Sequence, residues 1–410
     1  MPSIRDVEKL VPLKINRLDF GDYKIIINET EYKLRIHRHF LSGNTPKRVK
    51  EEKEGDSIDY DEFGFELDEL HNVLLPGDVR LHNEEWTETR FDDEQRETMW
   101  RRRLEDHKKA LELRAELESK GQTYKDCLDN APWNPDGIDR EVRIVIHEDV
   151  EYLKEEIENS LDKLIPFECR RNNTKLPFTC YFQLTITNGE NLKVQRYEYN
   201  KRIFEAEKQL NQVIFGGRTM PIFVEHFNIG YHYLVLRVPI GFSLRVKVLE
   251  ILPDYNENLH RIVENSENLD TVWLRYHSFF DLPLAGLAQK SRKLVISCWK
   301  LDIQDVENFI GQFQNPIICF NSIDKTHLAE KYFMIIQYWF TQNRSIGSEL
   351  HFETKDLETA EKVLELVNTH YDVAEDDRID ELKTMIIYDP FEEKDVSDSQ
   401  SKWIIMLRIK

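Results

Sequence analysis

The sequence predicts an α/β protein with a mixed α+β N-terminal part and an irregular leucine-rich-repeat-like array of strands and helices in its C-terminal half. One six-residue pattern, with apolar residues at its fourth and sixth positions, occurs four times within residues 246–352; its first residues are Val246, Leu269, Ser291 and Gln314. Its anchors lie 23, 22 and 23 residues apart: Leu249, Val272, Leu294 and Ile317. Apolar residues with helical spacing fill each interval. A strand plus a helix at this period is typical of a solenoid, in which each unit buries its apolar edge against its neighbours.

A closed, doubly wound sheet is the alternative fold. Residues 294–296 and 316–320 are continuous apolar runs, and strands of a parallel sheet covered by helices on both faces have the same composition. The nearly equal spacing favours the open array.

Composition and charge exclude several classes of protein. The chain has 410 residues, of which 40% are hydrophobic and 11% aromatic, and a formal net charge of −20. Such a chain is long enough for two or three domains. Its charge argues against nucleic-acid binding, which needs clustered Lys and Arg. Residues 51–100 hold 18 acidic and only 4 basic residues. This stretch is interpreted as a solvated loop, with docking on a basic partner as the alternative.

We divide the chain into five regions. Alternating apolar residues predict an N-terminal β-hairpin region over 1–40, followed by an acidic loop or insertion over 41–93 and a long polar helix over 94–120. An α+β unit spans 136–220, with a hairpin turn at Asn188-Gly189 and a helix that ends at Gly216-Gly217. The strand-helix repeat domain covers 221–410, and its longer last units are expected to cap the array.

No enzyme, cofactor or metal site is predicted. The sequence lacks phosphate-loop, dinucleotide-binding, zinc-protease and serine-hydrolase motifs, and its five cysteines have no zinc-type spacing. The alternative is an enzyme of unrecognised class with a pocket between the α+β unit and the repeat domain. Neither a signal sequence nor an apolar run of 18 residues occurs, so we expect a cytoplasmic or nuclear protein without membrane contact.

The open face of the repeat sheet is the candidate binding surface. If the repeat anchors point into the helices, the residues between them face outward. We therefore predict that the following residues bind a protein partner: Trp273, Arg275, Val295, Ile318, Phe320 and His351. A Trp and an Arg beside apolar residues are typical of interface hot spots. Alternatively, the acidic loop or the long helix covers this row.

Two stretches resemble a known family. Residues 2–15 (PSIRDVEKLVPLKI) resemble the segment that follows the F-box-like helices in a large nematode-expanded F-box-associated family. That family's long domain of unknown function is similar to residues 173–179 (NTKLPFT), 184–187 (LTIT) and 214–218 (IFGGR). The resemblance implies a module that holds a target while an F-box-like end recruits the Skp1–cullin ubiquitin ligase. Because the sequence starts at the post-F-box segment, we expect partner binding without the Skp1-contacting helices.

Overall fold

The computed structural model describes most of the chain, in fifteen separate stretches. They are residues 9–41, 55–67, 73–81, 92–121, 148–230, 234–251, 257–276, 286–298, 311, 313–322, 327–342, 344–354, 357–372, 382–388 and 403–409. The chain forms two compact units. Unit 1 comprises Met1–Glu31, Asn72–Glu84 and Glu207–Lys410, and unit 2 comprises Tyr32–His71 and Glu85–Ala206. The first residues of the predicted α+β unit, 136–147, lie outside the described residues.

The elements follow in chain order. The first strands are β1 (Lys14–Gly21), β2 (Lys24–Ile27), β3 (Thr30–Phe40), β4 (Asp59–Tyr60), β5 (Glu66–Leu67) and β6 (Val79–Arg80). Then come helices α1 (Asp93–Ser119) and α2 (Val150–Asn172), strands β7 (Phe178–Asn188) and β8 (Asn191–Glu198), and helix α3 (Ile203–Phe215).

The repeat region adds the remaining elements. They are β9 (Ile222–Ile229), β10 (Val235–Leu236), β11 (Leu244–Ile251), β12 (Thr271–Tyr276), α4 (Gly286–Lys290), β13 (Lys293–Cys298), β14 (Ile317–Ser322), α5 (Leu328–Thr341), β15 (Glu349–Thr354), α6 (Leu357–Asp372), β16 (Leu382–Tyr388) and β17 (Trp403–Ile409). Two short 3-10 helices, Glu257–Arg261 and Ser266–Asn268, connect β11 to β12.

Unit 1 is built on a large mixed sheet, mostly parallel in its C-terminal part. Its strand order is β16-β17-β15-β14-β13-β12-β11-β9-β1-β2. From β9 to β15, the strands of this sheet follow one another in chain order and each pairs in parallel with the next; β10, which lies between β9 and β11 in the sequence, pairs with β6 instead. A doubly wound sheet would reverse its strand order at a switch point. The α/β class with a repeat-like array is therefore confirmed. At one end, β17 pairs antiparallel with both β15 and β16 and interrupts the repeat.

One face of this sheet is the core. Its central row joins Leu274, Ile296, Phe320 and Phe352, which pair in register and are all 0% exposed. Helix α5 packs on this row, where the Tyr332 ring centroid lies 4.4 Å from that of Phe352. Dense packing of large side chains in register holds the strands at a fixed phase, since a slip of one residue would expose them.

The N-terminal strand is an extra member of the array. Strand β1 pairs in parallel with β9, although about 200 residues separate them in the sequence. It carries the repeat spacing with Ile15, Leu18 and Phe20, and all three side chains are buried. The repeat core therefore begins with a strand from the other end of the chain.

Two asparagine side chains, the half-buried Asn265 and the buried Asn315, join successive repeats at their turns. The Asn265 side chain donates to the Val246 carbonyl oxygen at 2.7 Å and accepts from the Val246 N–H at 3.0 Å. The buried Asn315 side chain donates to the Ala288 and Ser291 carbonyl oxygens at 2.8 and 2.6 Å. These bonds satisfy backbone groups that the sheet ladder leaves open, and a buried unpaired carbonyl or N–H would be costly.

Part of the acidic segment is fixed in unit 1 by buried charges. The fully buried Asp78 carboxylate lies 2.7 Å from the Arg237 guanidinium and 2.5 Å from the Lys208 ammonium. Strand β6 pairs with β10 beside this cluster. The two cations offset the cost of burying the Asp78 carboxylate. The cluster therefore anchors residues 73–81, and we assign it a structural role.

Unit 2 contains two long helices and the strands β3, β7 and β8, which are neighbours in the order β3-β7-β8. Helix α1 begins with a reciprocal capping box between Asp92 and Gln95, and it packs Trp100 and Leu104 against a cluster that includes Leu164 of α2. Strands β7 and β8 form the predicted hairpin, whose turn uses Gly189 at φ +54°. Glycine adopts this left-handed conformation without a steric penalty.

Candidate functional site

The face of the unit 1 sheet opposite the Phe320 row carries a row of chemically varied side chains. We call it the helix-free face, a name that refers to the described residues only, in which helix α5 packs on the Phe320 side. Strand pairing joins them in the order Glu250, Trp273, Val295, Cys319, His351 and Met406. Paired residues project from the same side of a sheet because side chains alternate with a period of two. Five parallel strands and one antiparallel strand thus contribute one side chain each to the row.

The centre of the row is apolar and tightly packed. Val295 is 4% exposed and Cys319 is 1% exposed. The Cys319 thiol lies 3.6 Å from a carboxylate oxygen of Glu353 in the neighbouring row. Side chains with so little exposed area cannot supply much contact surface, so they support the residues around them.

Trp273 lies at the boundary between this centre and a charged pair. Its indole N–H donates to the Ser297 hydroxyl oxygen at 2.9 Å, which fixes the ring while leaving it half-buried. Next to it, the Arg275 Nε atom donates to a Glu250 carboxylate oxygen at 2.5 Å. An amphipathic ring held by one hydrogen bond beside an arginine is a rigid anchor of the kind that dominates binding energy at interfaces.

At the other end of the row, His351 belongs to a second polar group. Its Nε2 atom is 3.1 Å from a Glu349 carboxylate oxygen, and the Arg408 Nε atom is 3.6 Å from the other oxygen of that carboxylate. Burial lowers the pKa of His351, against the opposing effect of Glu349. Burial thus favours the neutral imidazole, and Arg408 lies within ion-pair distance of the Glu349 carboxylate.

Four of the six predicted binding residues share this face: Trp273, Arg275, Val295 and His351. Ile318 and Phe320 do not, which corrects the prediction for strand β14. Register pairs Ile318 with Leu294 and Leu350, and Phe320 with Ile296 and Phe352, all on the core face. Ile318 is 1% and Phe320 0% exposed. The apolar run in β14 contains no alternating polar residues, so the sequence does not indicate which of its residues face the core. The predicted face of β14 is therefore wrong by one residue.

Other residues of the helix-free face were not predicted. Strand pairing adds a flanking row of Val248, Thr271, Lys293, Ile317, Glu349 and Arg408. Because side chains repeat every second residue, Lys293 follows directly from Val295 and could have been found from the sequence. Arg408 could not, since it reaches this face through an antiparallel strand from the C-terminal end.

Metal-ligand clusters and membrane-spanning helices are both absent from the described part of the chain. There, three or more His, Cys, Asp or Glu side chains are nowhere grouped so that they could hold a metal ion. No helix in the described ranges is both long and apolar enough to cross a membrane.

The geometry defines a strand-helix array with one helix-covered face and one chemically mixed face. Residues 202–356 match a family model described as a domain of unknown function, DUF3557. The match covers α3 and every strand from β9 to β15, so it includes the residues from Glu250 to His351 that form the central row. A search of curated proteins finds no match to the chain.

Proposed function

We propose that this protein is a non-enzymatic protein-protein interaction scaffold that holds its partner on the helix-free face. The observation that carries the proposal is the placement of Trp273. The half-buried indole lies between the Glu250–Arg275 ion pair and the buried Val295–Cys319 centre. This arrangement has a rigid aromatic anchor, an apolar support and a polar rim, which are the parts of a typical protein interface.

Charges on the face specify the chemistry of the partner. The face carries three basic side chains, Arg275, Lys293 and Arg408, and three acidic ones, Glu250, Glu349 and Glu353. A chain of net charge −20 therefore carries a binding face with balanced charge. We infer a protein partner with an apolar side chain for Trp273 and groups of both signs around it. A polyanion would meet repulsion from the three carboxylates.

The finer proposal concerns ubiquitylation. The F-box-associated resemblance of residues 2–15 and 173–218 supports a role in which the bound partner is a substrate of the Skp1–cullin ligase. Under this proposal the protein works in the cytoplasm or nucleus, and Skp1 and cullin join the same assembly. The DUF3557 match supports only the presence of a domain whose function is unknown.

The test combines capture with a measured affinity. The full chain is immobilised, native extract is passed over it, and each captured protein is purified and titrated against wild type and Trp273→Ala by calorimetry. Truncating a central anchor should weaken binding by about 2 kcal/mol or more, a loss of roughly 30-fold in affinity. Met334→Ala is the matched control, since Met334 is exposed on α5.

Equal affinity for wild type and Trp273→Ala, with both proteins folded, would contradict the proposal. The ligase role is scored separately, by probing the same eluates for Skp1 and cullin. Their absence would remove that role and leave the scaffold proposal standing. Ile318→Asp is unsuitable for this test because Ile318 lies in the core.

A further inference from the structure

Unit 2 contains a small pocket that is independent of the sheet of unit 1. Its volume is about 40 Å³. Six polar or charged side chains that line it come from five elements: Arg38, Tyr60, Glu66, Arg96, Asp162 and Lys163. A single water occupies roughly 10–15 Å³ on this measure, whereas drug-sized ligands need about 300 Å³ or more. The pocket therefore has room for one small polar group.

Two of the lining cations are already neutralised. Arg38 forms a bidentate pair with Asp162, with nitrogen–oxygen distances of 2.9 and 2.8 Å. Lys163 forms an ion pair with Glu66. The carboxylates of Asp162 and Glu66 are therefore each paired with a cation, and neither needs a further hydrogen-bond donor.

Two donors among the lining residues have no acceptor in the described part of the chain. The Tyr60 hydroxyl oxygen and the Arg96 Nε atom are both buried, and neither has a hydrogen-bond partner in the described part of the chain. Tyr60 is 3% exposed, and burial raises its pKa, so the phenol keeps its proton and remains a donor. A buried donor without an acceptor is costly and rare in folded proteins.

The imbalance between donors and acceptors defines the ligand. The Arg96 Nη2 atom donates to Asp93 at 2.5 Å, while its Nε–H stays unpaired in the described part of the chain. We propose that the pocket binds a carboxylate, whose oxygens accept from the Tyr60 hydroxyl and from Arg96. Aromatic rings of Phe65, Trp100 and Phe167 also line the pocket, and they would pack on the carbon next to the carboxylate.

The ligand is either a free small carboxylate or the acidic side chain of a peptide. Both present the same group, and the pocket is too small for a second functional group. Two probes separate these sources: acetate, and a glutamate capped at both ends. Acetamide, which has the shape of acetate without its charge, is the control ligand.

The experiment titrates each probe into the full chain labelled with ¹³C-tyrosine and follows the ring resonances by NMR. Acetate has four non-hydrogen atoms, so its Kd can be no tighter than about 40 μM. We expect saturable shifts with acetate, with capped glutamate or with both, and none with acetamide. Tyr60→Phe and Arg96→Lys should each weaken binding about tenfold, because each removes a donor to a charged group. Tyr152→Phe is the matched control, since Tyr152 is exposed at the start of α2.

Folding of the key variant is not at risk, because the Tyr60 hydroxyl has no partner to lose. Tyr60→Phe should melt at or above the temperature of wild type in the absence of ligand. The proposal is overturned if no probe gives saturable shifts, or if Tyr60→Phe binds acetate as tightly as wild type does. Either result would mean that the pocket holds only water.

Discussion

The two faces of the unit 1 sheet are formed by the same strands but carry side chains of different chemistry. On the core face, Leu274, Ile296, Phe320 and Phe352 form a fully buried apolar row. On the helix-free face, the adjacent residues of the same strands are a tryptophan, a histidine and ion-paired side chains. Neighbouring residues of one strand therefore lie on opposite faces of the sheet, one in the core and the other on the helix-free face.

This contrast makes different demands on substitutions. The core face contributes free energy of folding through packing, so its residues are sensitive to volume. Under the scaffold proposal, the side chains of the helix-free face are instead selected for contact with a partner. The following predictions test whether the faces really differ in this way.

The largest expected effect concerns Phe320. Its ring is fully buried and lies 5.8 Å from the Phe352 ring, centroid to centroid. Phe320→Ala should lower the free energy of unfolding by about 3–5 kcal/mol, because it removes buried area and leaves a cavity. Trp273→Ala on the other face should cost less than about 2 kcal/mol, since the ring is only half-buried. Urea denaturation of both variants measures the difference, and equal losses would mean that the faces are not distinct.

The pH dependence of stability tests the environment of His351. Burial lowers its pKa in the folded protein, while Glu349 acts in the opposite direction. An unfolded histidine titrates near about 6.5, so the unfolded chain takes up the proton first. The stability from the neutral imidazole is therefore present above that pH and is lost as the pH falls through the lower folded pKa.

A variant isolates this contribution. His351→Gln keeps a hydrogen-bond donor for Glu349 but cannot titrate, so its stability should fall less than that of wild type on acidification from pH 7. Burial also lowers the pKa of His37, and that effect is common to both proteins. Parallel curves for wild type and His351→Gln would show that the histidine is not desolvated on this face.

The smallest expected effect is the coupling between Glu250 and Arg275. The Arg275 side chain is 41% exposed, so solvent screens the pair. A double-mutant cycle with both residues changed to Ala should give a coupling of about 0.2–1 kcal/mol in unfolding free energy, decreasing in high salt. A coupling well above that range would mean that this ion pair stabilises the fold more than it serves recognition.

The sequence predicts the fold class better than it predicts which residues lie on the helix-free face. In β12, the polar residues Thr271 and Arg275 alternate with apolar ones, and the predicted side of Trp273 is correct. In β14 the run over residues 316–320 is apolar throughout, and local pattern cannot select between two phases. The structure selects one through the buried Asn315 turn, which places Ile318 three residues later at the anchor position.

Long-range pairing was also beyond local pattern. Strand β1 has the repeat spacing in its sequence, yet nothing within residues 14–21 indicates that it pairs with β9. The pocket of unit 2 is harder still to foresee, because it joins Arg38, Tyr60, Arg96 and Asp162 from four separated segments. Its signal is an imbalance of hydrogen-bond donors, which exists only once the chain is folded.

Site-specific photocrosslinking tests the scaffold proposal most directly. The photoreactive residue p-benzoylphenylalanine is placed at Lys293, on the helix-free face beside Trp273, and in a second variant at Met334 on the exposed side of α5. Each full-length protein is irradiated with the partner identified by capture, and crosslinks are located by mass spectrometry. We expect the partner to crosslink to position 293 and not to position 334. A crosslink from position 334 alone would place the partner on the helices and contradict the proposal.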